Sequence, residues 1–229
     1  MGRIYDATWG RGFSAVYDRG FKATEEAGLR EMRRKALAAA KGRTLELGAG
    51  TGANLALYPP AVQELVLAEP DPHMTKQLRR KLAESGREAT VIEAPAERLP
   101  LEDSSFDTAV FTLVLCTVPD PAAALDEVAR VLRAGGRMLF IEHVRAENPG
   151  VARWQDRLEK PWRFLGDGCH CNRDTVATIE ASPLTLELAE RGRMPKAPPI
   201  VKPLVQGYAT LESDDSARNP GPGEEASPT

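Results

Sequence analysis

Residues 44–52 read TLELGAGTG, an apolar run that leads into three glycines at alternate positions. The run predicts a short buried strand, and the glycines predict a sharp turn before a following helix. Open α/β sheets bind ligands at such strand ends, where a glycine lets the ligand come close to the backbone. Gly48, Gly50 and Ala53 also satisfy the G-x-G-x-x-G/A dinucleotide pattern. The stretch therefore predicts a ligand-binding turn, with a tight turn that binds nothing as the alternative.

Strand and helix patterns alternate along the rest of the chain. Strands are predicted at 44–47, 64–69, 89–93, 137–144, 184–189 and 201–211, and helices at 22–41, 72–85, 121–132, 149–164 and 173–181. The segment 106–116 begins with a β-rich run, the fourth strand, which is predicted to end at Thr112 and Leu113. Such alternation predicts βαβ units and hence an α/β fold with a doubly wound, mostly parallel sheet.

The composition is that of an ordinary globular protein, with 42% hydrophobic and 28% charged residues among 229. A formal net charge of −3 argues against a broad nucleic-acid-binding surface. No apolar run approaches the ~20 residues that span a bilayer, and the N-terminus lacks the apolar core of a signal peptide. The three cysteines do not suggest a disulfide framework. We therefore expect a cytoplasmic protein.

Glu69 ends the next predicted strand, in the sequence AEPD at 68–71. An acidic side chain at this place can accept hydrogen bonds from both hydroxyls of a ribose. It would serve any ribose-containing cofactor and does not distinguish between them. The alternative is that Glu69 is a surface carboxylate at a strand end with no ligand.

Further motifs narrow the choice. The stretches LELGAGTG (45–52), PAERLP (95–100) with SFD (105–107), and VLRAGGRML (131–139) resemble the successive motifs of class I S-adenosylmethionine (SAM)-dependent methyltransferases, in order and spacing. The resemblance implies a Rossmann-like fold with a seven-stranded, mostly parallel sheet and an antiparallel final strand. It also implies SAM as the cofactor and S-adenosylhomocysteine as its product. An NAD-dependent oxidoreductase is the competing class.

Other segments resemble one narrower group, the methyltransferase-like seven family of alkyl thiol methyltransferases. They are GTGANLALYPP (50–60), TLVLCTV (112–118), EHV (142–144) and GDGCHCNRDT (166–175). Animal members begin with a hydrophobic membrane anchor, whereas this chain begins MGRIYDATWGRGF, so no stable membrane anchor is expected. The core motifs are also similar to ubiquinone/menaquinone-type small-molecule methyltransferases.

The resemblance implies a set of cofactor-binding residues. The glycine loop would meet the methionine part of SAM, and the acid after the second strand would hold the ribose. Residues after the second and third strands would lie beside the adenine. The end of the fourth strand would contact the amino group of SAM, and a tyrosine of the N-terminal cap would close over the cofactor. The set comprises Tyr17, Glu46, Gly48, Gly50, Gly52, Asn54, Glu69, Pro70, Met74, Ala96, Glu97, Thr112 and Leu113.

Two residues are candidates for catalysis. His143 ends the fifth predicted strand at the ligand edge and could accept a proton, or could simply satisfy backbone groups there. Asp167 lies outside the cofactor motifs and could act directly, or could cap the next helix. The run Cys169-His170-Cys171 suggests a metal, but zinc needs four ligands and the sequence has no second cluster, so no metal is expected.

Aromatic residues fall in the segments that are expected to cover the ligand edge, and some of them could form an apolar lid over the acceptor. They are Trp9, Phe13, Trp154, Trp162 and Phe164, and Cys116 is expected to pack beside the cofactor. The alternative for each of these residues is that it packs in the hydrophobic core and does not contact the acceptor. If the lid is right, the acceptor carries an apolar or aromatic body.

We expect a methyltransferase that acts on a small-molecule acceptor, most simply a thiol, in detoxification or natural-product tailoring. The alternatives are O- or C-methylation of a phenol or quinone, and a SAM-binding protein without catalysis. The domain plan is an N-terminal helical cap (1–41), a SAM-binding domain (42–211) with an acceptor-covering insert at about 145–182, and a flexible tail (212–229). No nucleic-acid partner is expected, and no oligomeric state follows from the sequence.

Overall fold

The computed structural model describes residues 19–213. The strands are β1 (Gly42–Leu47), β2 (Val62–Ala68), β3 (Thr90–Ile92), β4 (Phe106–Thr112), β5 (Leu132–His143), β6 (Thr185–Arg193) and β7 (Pro203–Thr210). The helices are α1 (Arg30–Leu37), α2 (Pro72–Ser85), α3 (Pro121–Val131), α4 (Pro149–Leu165) and α5 (Thr175–Glu180). Residues 19–24 are also helical, and a π-helical segment (Glu25–Leu29) links them to α1.

The strands form one seven-stranded sheet in the order β3-β2-β1-β4-β5-β7-β6. The first five strands are parallel, and β7 lies antiparallel between β5 and β6. The chain therefore reverses its direction of winding beside β1, and the carboxyl ends of β1 and β4 meet there. Ligands bind at this kind of switch point in open α/β sheets. The predicted fold class is confirmed.

Three helices begin in the same way, with an acidic or amide cap followed by a proline. Asp71, Asp120 and Asn148 each accept hydrogen bonds from the backbone N–H groups two and three residues further on. The proline after each cap has no N–H group, and none is needed in the first turn of a helix. The predicted helix starts at 72, 121 and 149 are confirmed.

One local prediction is wrong. The glycine loop does not lead into an α-helix, since residues 50–57 form successive turns closed by short-range bonds such as Leu57 N–H to Asn54 C=O (2.8 Å). Prolines at positions 59 and 60 end this segment, because proline cannot continue a helical hydrogen-bond pattern. The fourth strand ends at Thr112, within the predicted Thr112–Leu113 end, and Leu113 adopts a left-handed conformation with φ +64°. The chain turns there along the edge of the sheet.

Apolar side chains cover both faces of the sheet. On one face Phe106, Phe111 and Phe140 pack with α3 residues such as Leu125 and Val128. On the other face Leu37 of α1 and Leu78 of α2 pack on residues of β2, β4 and β5. Within residues 19–213, no helix is long and apolar enough to cross a membrane.

Gly207 in β7 pairs with Phe140 of β5 on one side and with Ala189 of β6 on the other. A Cβ atom built at this position would stand 1.8 Å from the Leu188 carbonyl oxygen, which belongs to the backbone and cannot rotate away. We expect Gly207→Ala to lower the free energy of unfolding by about 1–3 kcal/mol, the usual range for overpacking. The measurement is urea unfolding. Gly20→Ala is the control, because its added Cβ meets nothing within 4 Å in a helical segment. Equal stability of the two variants would contradict the packing argument.

Candidate active site

A cavity of about 410 Å³ opens at the carboxyl ends of the parallel strands. Its walls come from the glycine loop, the residues that follow β2, β3 and β4, the end of β5, and the last turn of α4 with the loop after it. Nine of the residues predicted from the sequence line it: Gly48, Gly50, Glu69, Pro70, Met74, Ala96, Leu113, His143 and Asp167.

Glu69 and the glycine loop are joined at the floor of this cavity. The Gly50 N–H donates to Glu69 Oε2 at 2.8 Å, and the Asp71 N–H donates to Glu69 Oε1 at 2.9 Å. Glu69 is 6% exposed, and burial raises the pKa of its carboxyl. Each carboxylate oxygen has a second lone pair, so Glu69 can still accept from a bound hydroxyl group.

Gly50 leaves open space toward the cavity. It has φ +55°, and a Cβ atom built there would meet nothing closer than the Gly48 carbonyl oxygen at 4.0 Å. A ligand can therefore approach the backbone where any other residue would place a side chain.

Glu142 organises the turn that follows β4. Its carboxylate is fully buried and accepts from the N–H groups of Val114 (2.9 Å) and Cys116 (3.2 Å). Burial raises the pKa of Glu142 to about 7, against the opposing effect of these hydrogen bonds. Val114 in turn packs on the glycine loop, because a Cβ atom at Gly48 would stand 2.5 Å from a Val114 methyl carbon. The sequence analysis assigned Glu142 no role, although a lone acid inside an apolar strand end is a visible signal.

Several predicted cofactor-binding residues lie behind the loop instead of on the cavity wall. Asn54 Nδ2 donates to Glu46 Oε1 (2.8 Å) and to Thr112 Oγ1 (3.0 Å), and the Tyr58 hydroxyl donates to Glu46 Oε2 (2.7 Å). Arg33 of α1 donates to Asn54 Oδ1 at 3.2 Å. Burial raises the pKa of Glu46 to about 7. This buried network supports the glycine loop from below.

The remaining predicted positions have other surroundings. A Cβ atom at Gly52 would meet Leu55 and Leu78 at 2.7 and 2.9 Å, so this glycine permits close packing on α2. Glu97 Oε1 accepts from the Asp120 N–H at 3.2 Å, which ties the residues after β3 to the start of α3. Tyr17 lies outside the described residues.

His143 lines the cavity at the end of β5. It is 5% exposed, and burial lowers its pKa to about 4, although hydrogen bonds with the backbone of Pro203 and Val201 oppose the shift. The imidazole is therefore neutral at physiological pH. Nδ1 is buried and has no hydrogen-bond partner among residues 19–213.

Asp167 sits in the loop after α4 with φ +49°, a left-handed conformation that Asp tolerates better than most residues. Gly168 continues the bend with φ +90°. The Asp167 carboxylate lies near Glu69, since its charge contributes to the raised pKa of that carboxyl. The loop after α4 thus adds an acidic group to the cavity wall near Glu69.

Of the aromatic residues considered for a lid, Trp162 lines the cavity, while Trp154 and Phe164 are 55% and 47% exposed. Trp9 and Phe13 lie outside the described residues. Cys116 is buried and lines the cavity, as expected. Walls that the sequence analysis did not single out are Phe21, Thr117, Val118, Pro119 and Leu165.

The cavity suits a cationic nucleoside ligand such as SAM. Its described walls carry three carboxylates, those of Glu69, Asp71 and Asp167, and no Lys or Arg. The open backbone at Gly50 would let the ligand come close to the chain. The acid at the end of β2, Glu69, would accept a hydrogen bond from a ribose. In residues 19–213 no group of three or more His, Cys, Asp or Glu side chains is arranged to hold a metal.

Glu69→Gln removes the charge of Glu69 and one oxygen acceptor while keeping the size of the side chain. We expect the Kd for SAM to rise about tenfold or more, since a hydrogen bond to a charged group contributes ~1.5–3 kcal/mol. Isothermal titration calorimetry measures it. Glu64→Gln on the same strand is the control, because Glu64 is half exposed and pairs with Arg43 away from the cavity. An unchanged Kd in Glu69→Gln would refute the ribose assignment.

Glu142→Gln tests the buried carboxyl through the pH dependence of stability. In the wild type the folded pKa is about 7 against 4.5 for the free group, so the folded state keeps a proton that the unfolded state loses. The free energy of unfolding of the wild type should therefore fall, relative to the variant, between about pH 4.5 and 7. The change is on the order of 3 kcal/mol, and the difference is constant above that range. Urea unfolding of both proteins at a series of pH values measures it. A difference that does not vary with pH would show that Glu142 has an ordinary pKa.

Comparisons with known proteins identify the family of the chain. Residues 45–140 match a family model described as a methyltransferase domain. Human thiol S-methyltransferase TMT1B is 40% identical over 182 residues, which is 76% of this chain and 74% of the relative. Human thiol S-methyltransferase TMT1A is 36% identical over 169 residues, covering 72% and 69% of the two chains.

A solved SAM-dependent methyltransferase from Thermotoga maritima, described as a possible histamine N-methyltransferase, has the same fold. The TM-score is 0.66 at 21% identity, over 91% of this chain and 98% of that one. The sequence identity to the two human proteins, and the share of each chain that is aligned, assign the chain to their family. The chain is a SAM-dependent methyltransferase and belongs to the family of the thiol S-methyltransferases TMT1A and TMT1B.

Proposed function

We propose that this enzyme methylates the sulfur of a small thiol with an apolar body. The observation that carries the proposal is the makeup of the cavity wall away from the glycine loop. Leu113, Val118, Trp162 and Leu165 form an apolar surface there, and the nearby basic group, His143, is neutral. The two human relatives named thiol S-methyltransferases support the same acceptor class.

We assign the cofactor to the side of the cavity formed by the ends of β1, β2 and β3. Gly48 and Gly50 would contact it through the backbone, Glu69 would accept from the ribose, and Met74 and Ala96 would border the base. When bound, SAM supplies an electrophilic methyl group on a cationic sulfur. Asp167 places a negative charge beside this region and favours a cationic ligand over a neutral one.

The acceptor needs little chemical assistance from the protein if it is a thiol. A free thiol has a pKa near ~8.5, so a few per cent is thiolate at neutral pH, and the thiolate is a strong nucleophile. Apolar walls such as Trp162 and Leu165 exclude water and hold the acceptor body, which aligns its sulfur with the cofactor. A phenol or an alcohol holds its proton more tightly and would need a stronger base than the described cavity wall offers.

His143 would orient the acceptor. Its pKa of about 4 makes it a weak base, so its role is to accept a hydrogen bond from the acceptor S–H group at Nδ1. Such a bond fixes the position of the sulfur and leaves bulk proton release to solvent.

The test compares acceptors that share a carbon body and differ in the reacting atom. We expect turnover of SAM to S-adenosylhomocysteine with an alkyl thiol and with thiophenol, and little or none with the matching alcohol, phenol and amine. Mass spectrometry of the methyl thioether product measures it. Activity on phenols or quinones alone would keep the methyltransferase assignment and overturn the thiol proposal.

The pH profile separates the thiolate mechanism from histidine base catalysis. We expect kcat/KM to rise with the pKa of the acceptor thiol and to show no step near pH 6.5, since His143 does not titrate there. His143→Asn, which keeps a polar acceptor near the Nδ1 position, should retain more activity than His143→Leu, and both should bind SAM as the wild type does. If kcat/KM instead rose near pH 6.5 for every thiol, whatever the pKa of that thiol, this role for His143 would be refuted.

A further inference from the structure

Two thiols meet on the cavity wall. Cys116 follows β4, and Cys169 lies in the loop after α4, 53 residues later in the chain. Their sulfur atoms are 3.8 Å apart, and both residues are buried from bulk solvent but line the cavity. A small molecule that enters the cavity therefore reaches both thiols. The third cysteine, Cys171, is fully buried and does not line the cavity.

The backbone holds the two cysteine-bearing segments together. The His170 N–H donates to the Cys116 carbonyl oxygen at 2.7 Å, and Arg173 donates to the carbonyl oxygens of Leu115 and Val118 at 2.6 and 2.7 Å. The Cys116 N–H is held by Glu142. A disulfide needs its sulfur atoms at about 2.05 Å, so the pair must close by under ~2 Å, a distance that side-chain rotation can supply.

The two thiols differ in acidity. The hydrogen bond between them lowers the pKa of Cys169, while the same bond and burial raise the pKa of Cys116 well above its usual value. Cys169 is therefore the nucleophile of the pair, and Cys116 holds its proton.

We propose that Cys116 and Cys169 are a redox modification site, which a peroxide or a small disulfide converts into a reversible intramolecular disulfide that stops methyl transfer. The effect on methyl transfer rests on the proposed function, whereas formation of the disulfide does not. The bond would pull the loop of 166–169 toward the turn after β4 and remodel the wall that we assign to the acceptor.

The chemistry balances with hydrogen peroxide as the oxidant. The Cys169 thiolate attacks one peroxide oxygen, the O–O bond breaks, and the product is a sulfenic acid with hydroxide released. The Cys116 sulfur then attacks the Cys169 sulfur and displaces the hydroxyl group, which leaves as water with the Cys116 proton. Overall two thiols and one peroxide give one disulfide and two waters. With a small disulfide as the oxidant, a mixed disulfide on Cys169 is resolved by Cys116, and two small thiols are released.

The inference also fits the acceptor class. An enzyme that uses small thiols encounters their disulfides whenever the thiol pool is oxidised. A dithiol inside the acceptor cavity is exposed to these disulfides and responds to the oxidation state of the pool itself.

The experiment counts thiols on the full chain. Reduced protein is treated with hydrogen peroxide, quenched with catalase, denatured and alkylated with iodoacetamide. Intact mass and peptide mapping follow. We expect wild-type protein to lose two of its three alkylatable thiols, to show a peptide linking Cys116 to Cys169, and to regain all three thiols with dithiothreitol. Cys171→Ser is the matched control and should form the same link.

Cys116→Ser and Cys169→Ser should form no intramolecular disulfide. Wild-type turnover should be lost on oxidation and restored by dithiothreitol, whereas oxidation of Cys169→Ser, which lacks the attacking thiol, should cause no such reversible loss. Three free thiols after peroxide, or a link that uses Cys171, would overturn the proposed site. A mapped Cys116–Cys169 link with unchanged turnover would overturn its effect on methyl transfer. An enzyme without activity on any thiol would refute the proposed acceptor class and leave the mapped link as a separate result.

Discussion

Buried carboxylates at the ends of the parallel strands hold the ligand edge of this enzyme together. Glu46 near the end of β1, Glu69 after β2 and Glu142 near the end of β5 are 1%, 6% and 0% exposed. Each accepts hydrogen bonds from the loop that must be fixed: Glu46 from Asn54 and Tyr58, Glu69 from the glycine loop, and Glu142 from the turn after β4. Backbone N–H groups at a strand end have no partner in the sheet, and a buried carboxylate can satisfy two of them with its two oxygens.

This arrangement places acidic groups where solvent cannot screen them. Desolvation raises the pKa of all three carboxyls, to about 7 for Glu46 and Glu142. Each acid is therefore destabilised in its charged form, and a cationic ligand at the same edge offsets part of that cost. SAM carries a positive charge that its product lacks, so the same field favours the cofactor over S-adenosylhomocysteine. The same buried carboxylates thus fix the loops through hydrogen bonds and favour binding of the cationic cofactor over binding of its neutral-sulfur product.

The sequence was sufficient for the features that depend on local pattern. The helices predicted to begin at Pro72 and Pro121 begin there, and the spacing of the glycines indicated the ligand edge. It was insufficient where long-range partners decide the outcome. Glu46 and Asn54 belong to the cofactor motif, yet they bond to each other and to Tyr58 beneath the loop. Nothing local to Glu142 shows that it binds the backbone of residues 26 and 28 positions earlier in the chain. The turns after Gly50 and the left-handed Leu113 likewise follow from how the loops pack against one another.

The two sides of the cavity are built by different means, and this difference bears on acceptor choice. The side that we assign to the cofactor consists of the backbone of the glycine loop and of side chains such as Glu69, which hydrogen bonds to that loop. The other side consists of the end of α4 and the loop after it, joined to the fold by a few polar anchors. The side-chain amide of Gln155 in α4 lies within hydrogen-bond distance of three backbone carbonyl oxygens, those of Val144, Cys171 and Ile200, which share its two N–H donors. Arg173 hydrogen bonds the loop to the turn after β4. Because these anchors lie behind the wall, side chains such as Trp162 and Leu165 can change without disturbing them. Acceptor specificity can therefore vary within this fold while cofactor binding stays constant, and a covalent link at Cys116 and Cys169 would act on the variable side alone.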